Sequence, residues 1–177
     1  MKTVLIVEDE KMIRQGIKTM IMRSGVPIET IMECNNGETA LEILKEQEID
    51  VMFTDIRMPK MDGIELVQKM QSLEHIPLTV AISGYDDFAY AVEMLRNGVR
   101  EYILKPIERE KITEILKKLN AEIESRKEKE ENNQKIGYQQ MRHLMLSDEI
   151  IFIPEIIMCA ARIRSREENC PTIIIFS

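Results

Sequence analysis

The stretch Thr3-Val4-Leu5-Ile6-Val7-Glu8-Asp9-Glu10 decides the fold. Four consecutive apolar residues are too few for a helical stripe. They are the right number for a short strand covered on both faces, the signature of a parallel sheet. The acids that follow then fall at the strand's carboxyl end. The same pattern recurs twice: Val51-Met52-Phe53 runs into Thr54-Asp55, and Val80-Ala81-Ile82 runs into Ser83-Gly84. Around these three runs the reading places strands over residues 2–8, 28–34, 49–55, 78–83 and 100–104. The second carries Glu29 and Glu33 and is read as the more exposed, edge strand.

Between the strands, residues 11–23, 37–46, 64–72 and 86–97 repeat apolar side chains at helical spacing, as in Ile13/Ile17/Met20/Ile21 and Phe88/Ala91/Val92/Leu95. Asn97-Gly98 supplies a helix stop. Strict alternation of strand and helix argues a parallel sheet with helices on both faces. Short connections and right-handed crossovers then favour an α/β, flavodoxin-like, doubly wound five-stranded sheet of order 2-1-3-4-5 with a C-terminal helical extension. A final helix from about residue 108 shows Ile112, Leu116, Leu119 and Ile123 at spacings of a heptad seam, which Arg126 and Glu130 terminate, too short for an independent coiled coil. Residues 122–135 carry mixed charge and read as a solvated helix or linker. The stretches 141–145 and 150–163 read as helices, and 172–176 as an apolar strand with no partner after it. The organisation expected is an α/β domain over 1–120, a charged helical linker over 121–140, and the start of a further, truncated segment over 141–177.

Composition narrows the function. The 177 residues hold 24 Lys+Arg against 31 Asp+Glu, a net charge of −7. That balance excludes a basic nucleic-acid-binding surface. No run reaches the roughly 18 apolar residues of a membrane span, and Met1-Lys2 enters a strand without a signal-peptide pattern, so a cytoplasmic protein is expected. Cys34, Cys159 and Cys170 lack paired spacing and read as small buried hydrophobes.

In a 2-1-3-4-5 sheet the first and third strands are neighbours at the topological switch point, where ligands bind. Glu8, Asp9 and Asp55 therefore converge on one shallow pocket. A hard divalent cation offsets their repulsion, and Mg²⁺ suits one or two carboxylates together with phosphate oxygens. Lys105 ends the fifth strand on the same rim and serves as a point charge for a phosphoryl group. A carboxylate beside Mg²⁺ and an ammonium is suited to attack on phosphorus, and Asp55, alone at its strand end, is the candidate nucleophile.

Five motifs occur in order at the strand ends: Val7-Glu8-Asp9-Glu10, Thr54-Asp55-Ile56-Arg57-Met58-Pro59, Met61-Asp62-Gly63, Ile82-Ser83-Gly84-Tyr85 and Tyr102-Ile103-Leu104-Lys105-Pro106. Together they resemble the receiver domain of two-component response regulators, over Met1 to about Asn120. Ser83-Gly84-Tyr85-Asp86-Asp87-Phe88 with Leu104-Lys105-Pro106-Ile107 most resembles regulators that carry an AraC-type DNA-binding domain. The resemblance implies that Asp55 accepts a phosphoryl group from a sensor histidine kinase. It implies Mg²⁺ ligands Glu8, Asp9, Asp55 and the backbone carbonyl of Arg57, a phosphoryl contact from Lys105, and a switch pair of Ser83 and Tyr102. It also implies a cis Lys105–Pro106 bond, and a homodimer through the surface of the fourth helix, fifth strand and final helix, or through the final helix. Glu8 departs from the Asp of many relatives by one methylene. DNA would be reached only through a domain missing from this chain, because residues 136–177 show no helix-turn-helix with a basic recognition helix.

Each motif also has a plain structural reading. Glu8-Asp9 suits a helix N-terminus, Asp55 a turn cap, Asp62-Gly63 loop punctuation, Tyr102 a strand aromatic and Pro106 a helix start. Their common rim is what joins them. Two other functions compete. A Mg²⁺-dependent aspartyl-phosphate phosphohydrolase of haloacid-dehalogenase type needs a second acid two positions after the nucleophile, where this chain has Arg57. A flavodoxin-like cofactor binder needs a phosphate cradle where this chain has Glu8-Asp9-Glu10. A stand-alone, phosphorylation-regulated interaction module remains a further alternative to transcriptional output.

Overall fold

Apolar runs and helical stripes alternate in the folded chain as the sequence leads one to expect. The strands are β1 (Thr3–Val7), β2 (Thr30–Cys34), β3 (Val51–Asp55), β4 (Leu78–Ser83) and β5 (Glu101–Leu104). The helices are α1 (Lys11–Met22), α2 (Gly37–Glu46), α3 (Gly63–Met70), α4 (Phe88–Arg96) and α5 (Arg109–Leu146). The computed structural model describes residues 1–84 and 88–146. The expected helix over 150–163, the strand over 172–176, Cys159 and Cys170 lie outside the described residues, as do residues 85–87 at the expected start of α4.

All strand pairs are parallel, and the sheet order is β2-β1-β3-β4-β5. Side chains alternate between faces along each strand, so the sheet carries two cores. Val4, Ile6, Val51, Phe53, Val80, Ile82 and Ile103 pack with Ile17 and Ile21 of α1 and with Ile112, Leu116, Leu119 and Ile123 of α5. Leu5, Val7, Met52 and Ala81 pack with Ala40 and Leu44 of α2, Leu66, Val67 and Met70 of α3, and Met94 of α4. The edge strand β2 is partly exposed, as Glu29 and Glu33 foretold, and so is the opposite edge strand β5. Residues 1–127 form one compact unit.

Two local expectations change. Element ends move by one or two residues, as fraying ends do. On α4 Ala91 of the expected stripe is buried together with Met94, while Val92 and Leu95 are exposed, so only part of that stripe faces the core. The seam of α5 is buried in the chain's own core. Residues 121–146, expected as a charged helical linker followed by further helix, are helical, the last part of α5. Pairs one turn apart support it, such as Arg126 Nη2 2.5 Å from Glu122 Oε1.

Candidate functional site

The sheet order brings the acids together for a geometric reason. β1 and β3 run side by side in the register Val7↔Thr54, so Glu8, just past β1, and Asp55, the last residue of β3, stand together at the carboxyl end of the sheet. Oxygens of Glu8, Asp9 and Asp55 all lie within 4.8 Å of one another, a grouping able to hold a metal ion. Glu8 is fully buried and Asp55 nearly so, whereas Asp9 is exposed. β5 contributes the cation. Lys105 follows its last residue, its N–H donates to the Ser83 carbonyl at 2.7 Å, and the Lys105–Pro106 peptide is cis. Lys105 Nζ reaches Asp55 Oδ2 at 2.7 Å and lies 3.1 Å from Glu8 Oε2.

Asp55 is held at both ends. Its Oδ1 accepts the Ile56 N–H at 2.7 Å, and its backbone carbonyl accepts Thr54 Oγ1 at 2.9 Å. Gly63 closes the loop after β3 by donating its N–H to the Ile56 carbonyl at 2.8 Å. A Cβ at position 63 would stand 2.2 Å from the Asp55 carbonyl oxygen, so Asp62-Gly63 is more than loop punctuation. Asp62 accepts the Glu65 N–H at 2.8 Å and caps α3.

The electrostatics follow from burial. Loss of solvation, with the negative charge of Asp55 adding to it, pushes the Glu8 carboxyl up to about 7, even though Lys105 opposes the shift. Burial alone would lower Lys105, but the hydrogen bond and charge of Asp55, joined by Glu8, outweigh it and raise the ammonium above its ordinary range. Glu8 Oε2 has the Lys105 ammonium 3.1 Å away as its ion-pair partner and no other donor among the described residues. A buried anionic oxygen with no other donor, in a set of hard oxygen ligands, fits a magnesium-type ion.

The remaining expected residues take varied positions. Ser83 is buried, with Oγ 3.0 Å from the Gly84 carbonyl that accepts its proton. Tyr102 is half-buried on β5, and its hydroxyl has no hydrogen-bond partner among the described residues. Arg57 is exposed in the turn after β3. Cys34 is buried, which pushes its thiol up to about 11 against the opposing effects of the Asn36 backbone and Arg14. Sequence reading missed Arg14, whose Nη1 donates to the Glu8 carbonyl at 2.5 Å. Nothing in the sequence distinguishes it from other polar-face residues of α1.

Comparison with known proteins yields consistent matches. A family model described as response regulator receiver domain matches residues 4–117. An uncharacterized response regulatory protein of Vibrio cholerae is 31% identical over 121 residues, covering 68% of this chain and 46% of the relative. The uncharacterized transcriptional regulatory protein YesN of Bacillus subtilis is 31% identical over 123 residues, covering 70% and 33%. The solved REC domain of AraT, a response regulator from Geobacillus stearothermophilus, superposes with a TM-score of 0.62 at 34% identity, covering 71% of this chain and 97% of that one. A two component transcriptional regulator AraC from Clostridium phytofermentans gives 0.64 at 32% identity, covering 73% and 99%. The chain spans between a third and a half of the length of these curated relatives.

Proposed function

The chain belongs to the family of response regulator receiver domains, and on that premise we propose that Asp55 accepts a phosphoryl group from a sensor histidine kinase in a Mg²⁺-dependent reaction. The observation that carries the proposal is the joint placement of Lys105 Nζ, 2.7 Å from Asp55 Oδ2, and of Glu8 and Asp9 within 4.8 Å of the same carboxylate. Glu8, Asp9, Asp55 and the Arg57 carbonyl would hold the ion. When bound, Mg²⁺ offsets the charge of the carboxylates and of the phosphoryl oxygens.

The chain's own groups do the rest. An Asp55 carboxylate oxygen attacks phosphorus; the P–O bond forms as the bond to the donor nitrogen breaks, and the donor imidazole leaves with the electron pair. Lys105, already on that carboxylate, transfers its contact to a phosphoryl oxygen. The product brings about −1.5 to −2 charge and three acceptor oxygens into the pocket. The Ser83 hydroxyl turns to one of them, and Tyr102, whose buried hydroxyl has no partner among the described residues, moves inward in response. The face altered is that of α4, β5 and α5. Exposed Val92, Leu95 and Leu104 on it support a role in contacting a partner, including a second copy of the chain.

Transcriptional output is assigned by analogy with relatives named as transcriptional regulators. In this reading 1–120 is the phosphoacceptor unit, 121–140 a charged helical linker, and 141–177 the start of an output segment. DNA contact belongs to a domain other than these, and the site runs phosphotransfer rather than turnover of small phosphoesters. Among the described residues no helix is long and apolar enough to cross a membrane.

Treatment with acetyl phosphate or BeF₃⁻, with and without Mg²⁺, tests the reading by mass spectrometry and sizing. One phosphate is expected on Asp55, only with Mg²⁺, and none on Asp55→Asn. Modification at another residue, or an unchanged response in Asp55→Asn, refutes it.

A further inference from the structure

The turn that carries two of the three metal acids, Glu8–Glu10, is tied down at three points. The Glu8 N–H donates to the Cys34 carbonyl at 3.2 Å, and the Glu10 N–H donates to Glu8 Oε1 at 3.3 Å. Glu10 is the N-cap of α1, yet its side chain makes no capping hydrogen bond. The third tie comes from inside the helix. Arg14 Nη1 donates to the Glu8 carbonyl at 2.5 Å and points at the Asp9 carbonyl at 3.4 Å. Arg14 is itself held, its Nε 3.6 Å from Glu33 Oε2 on β2. Glu33 also accepts from Gln15 Nε2 at 2.9 Å and from Lys18 Nζ at 2.5 Å. The Arg14 and Glu33 side chains are only 15% and 19% exposed, too enclosed for an ordinary surface pair.

We propose that Arg14, braced by Glu33, is a positioning residue for the acidic cluster, fixing the main chain from which Glu8 and Asp9 project. The inference deepens the proposed function and rests on its metal reading. The carboxylates repel one another, so the turn relaxes outward unless its carbonyls are held. A guanidinium can do this while paired, because its planar fork presents Nη1 to the carbonyls and Nε to the carboxylate at once. Lysine offers one point charge and cannot reproduce both contacts.

The brace makes a prediction opposite in sign to simple electrostatics. Removing a cation near a metal site should, by charge alone, tighten Mg²⁺ binding. Loss of a group that orients a metal ligand typically weakens affinity 10–100-fold. Mg²⁺ is titrated calorimetrically into the full chain, with acetyl phosphate phosphorylation followed in parallel and amide exchange measured in EDTA. For Arg14→Ala the expected dissociation constant rises about tenfold. The Mg²⁺ needed for half-maximal phosphorylation rises by the same factor, while the rate at saturating Mg²⁺ stays close to wild type. Without metal, amide exchange at Asp9 and Glu10 becomes faster. Arg14→Lys stays weak, Glu33→Gln weakens binding in the same direction, and the Arg14→Ala/Glu33→Gln double variant is no weaker than Arg14→Ala.

Unchanged or tighter Mg²⁺ binding by folded Arg14→Ala, or full rescue by Arg14→Lys, overturns the brace alone. Should Arg14→Ala fail to fold, Arg14→Lys and Glu33→Gln carry the same test. A wild-type chain that takes up no Mg²⁺ overturns the metal reading, and the brace with it.

Discussion

Replacing Glu8 by Gln should make the metal-free protein more stable, by an amount that depends on pH. In the folded chain the Glu8 carboxyl is raised from 4.5 to about 7, chiefly by burial. At about 1.4 kcal/mol per pH unit, keeping it ionised in the metal-free fold costs roughly 3 kcal/mol relative to the unfolded chain. Between pH 4.5 and about 7 the folded state keeps a proton that the unfolded state has lost. The native state therefore binds more protons there, and this contribution to stability falls as pH rises through that window. Glutamine resembles the protonated acid and does not titrate. At pH 5 the two proteins should unfold at similar urea concentrations in EDTA. At pH 8 Glu8→Gln should be ahead by up to about 3 kcal/mol, a midpoint increase of roughly 1–3 M at slopes of about 1–3 kcal/mol/M. Saturating Mg²⁺ should narrow the gap at pH 8. Wild type gains about 2.7 kcal/mol at a hundred times its Kd, and the variant lacks one ligand. A midpoint difference equal at pH 5 and pH 8, or smaller at pH 8, would refute the reasoning.

Other consequences are more local. Asp62→Ala removes the cap of α3 and should lower stability by about 0.5–2 kcal/mol in chemical denaturation. Gly16 lies inside α1 with open space where a methyl group would stand; Gly16→Ala should raise the unfolding midpoint by an amount equivalent to roughly 0.5–1 kcal/mol. Cys34, buried and with a thiol raised to about 11, should resist a thiol reagent at pH 7.5 until the chain is unfolded.

Features that depend on local pattern were legible in the sequence. Val4-Leu5-Ile6-Val7 and its two counterparts are strands because nothing else hides so short an apolar run, and their order follows from the crossover rules. With β1 and β3 adjacent, Glu8, Asp9 and Asp55 could be placed together before any coordinates. What escaped depends on partners distant in sequence. Arg14 looks like any solvated helix cation until β2 brings Glu33 beside it. The stripe on α4 contains more apolar residues than the sheet can cover, so periodicity alone did not separate Met94, which is buried, from Leu95, which is exposed. The charged half of α5 has no apolar periodicity, so its mixed charge rather than a stripe marked it as helical, and pairs such as Glu122 with Arg126 carry the helix there.

The contact between Gly63 and the Asp55 carbonyl leaves no space for even a methyl group. Saturation mutagenesis of codon 63 should therefore recover glycine alone among functional clones, although that residue bears no charge and donates nothing from a side chain. Tolerance to change around the acceptor is thus governed by main-chain clearance as well as by ionic chemistry, and a ranking of positions by reactive groups alone would overlook one of its least replaceable members.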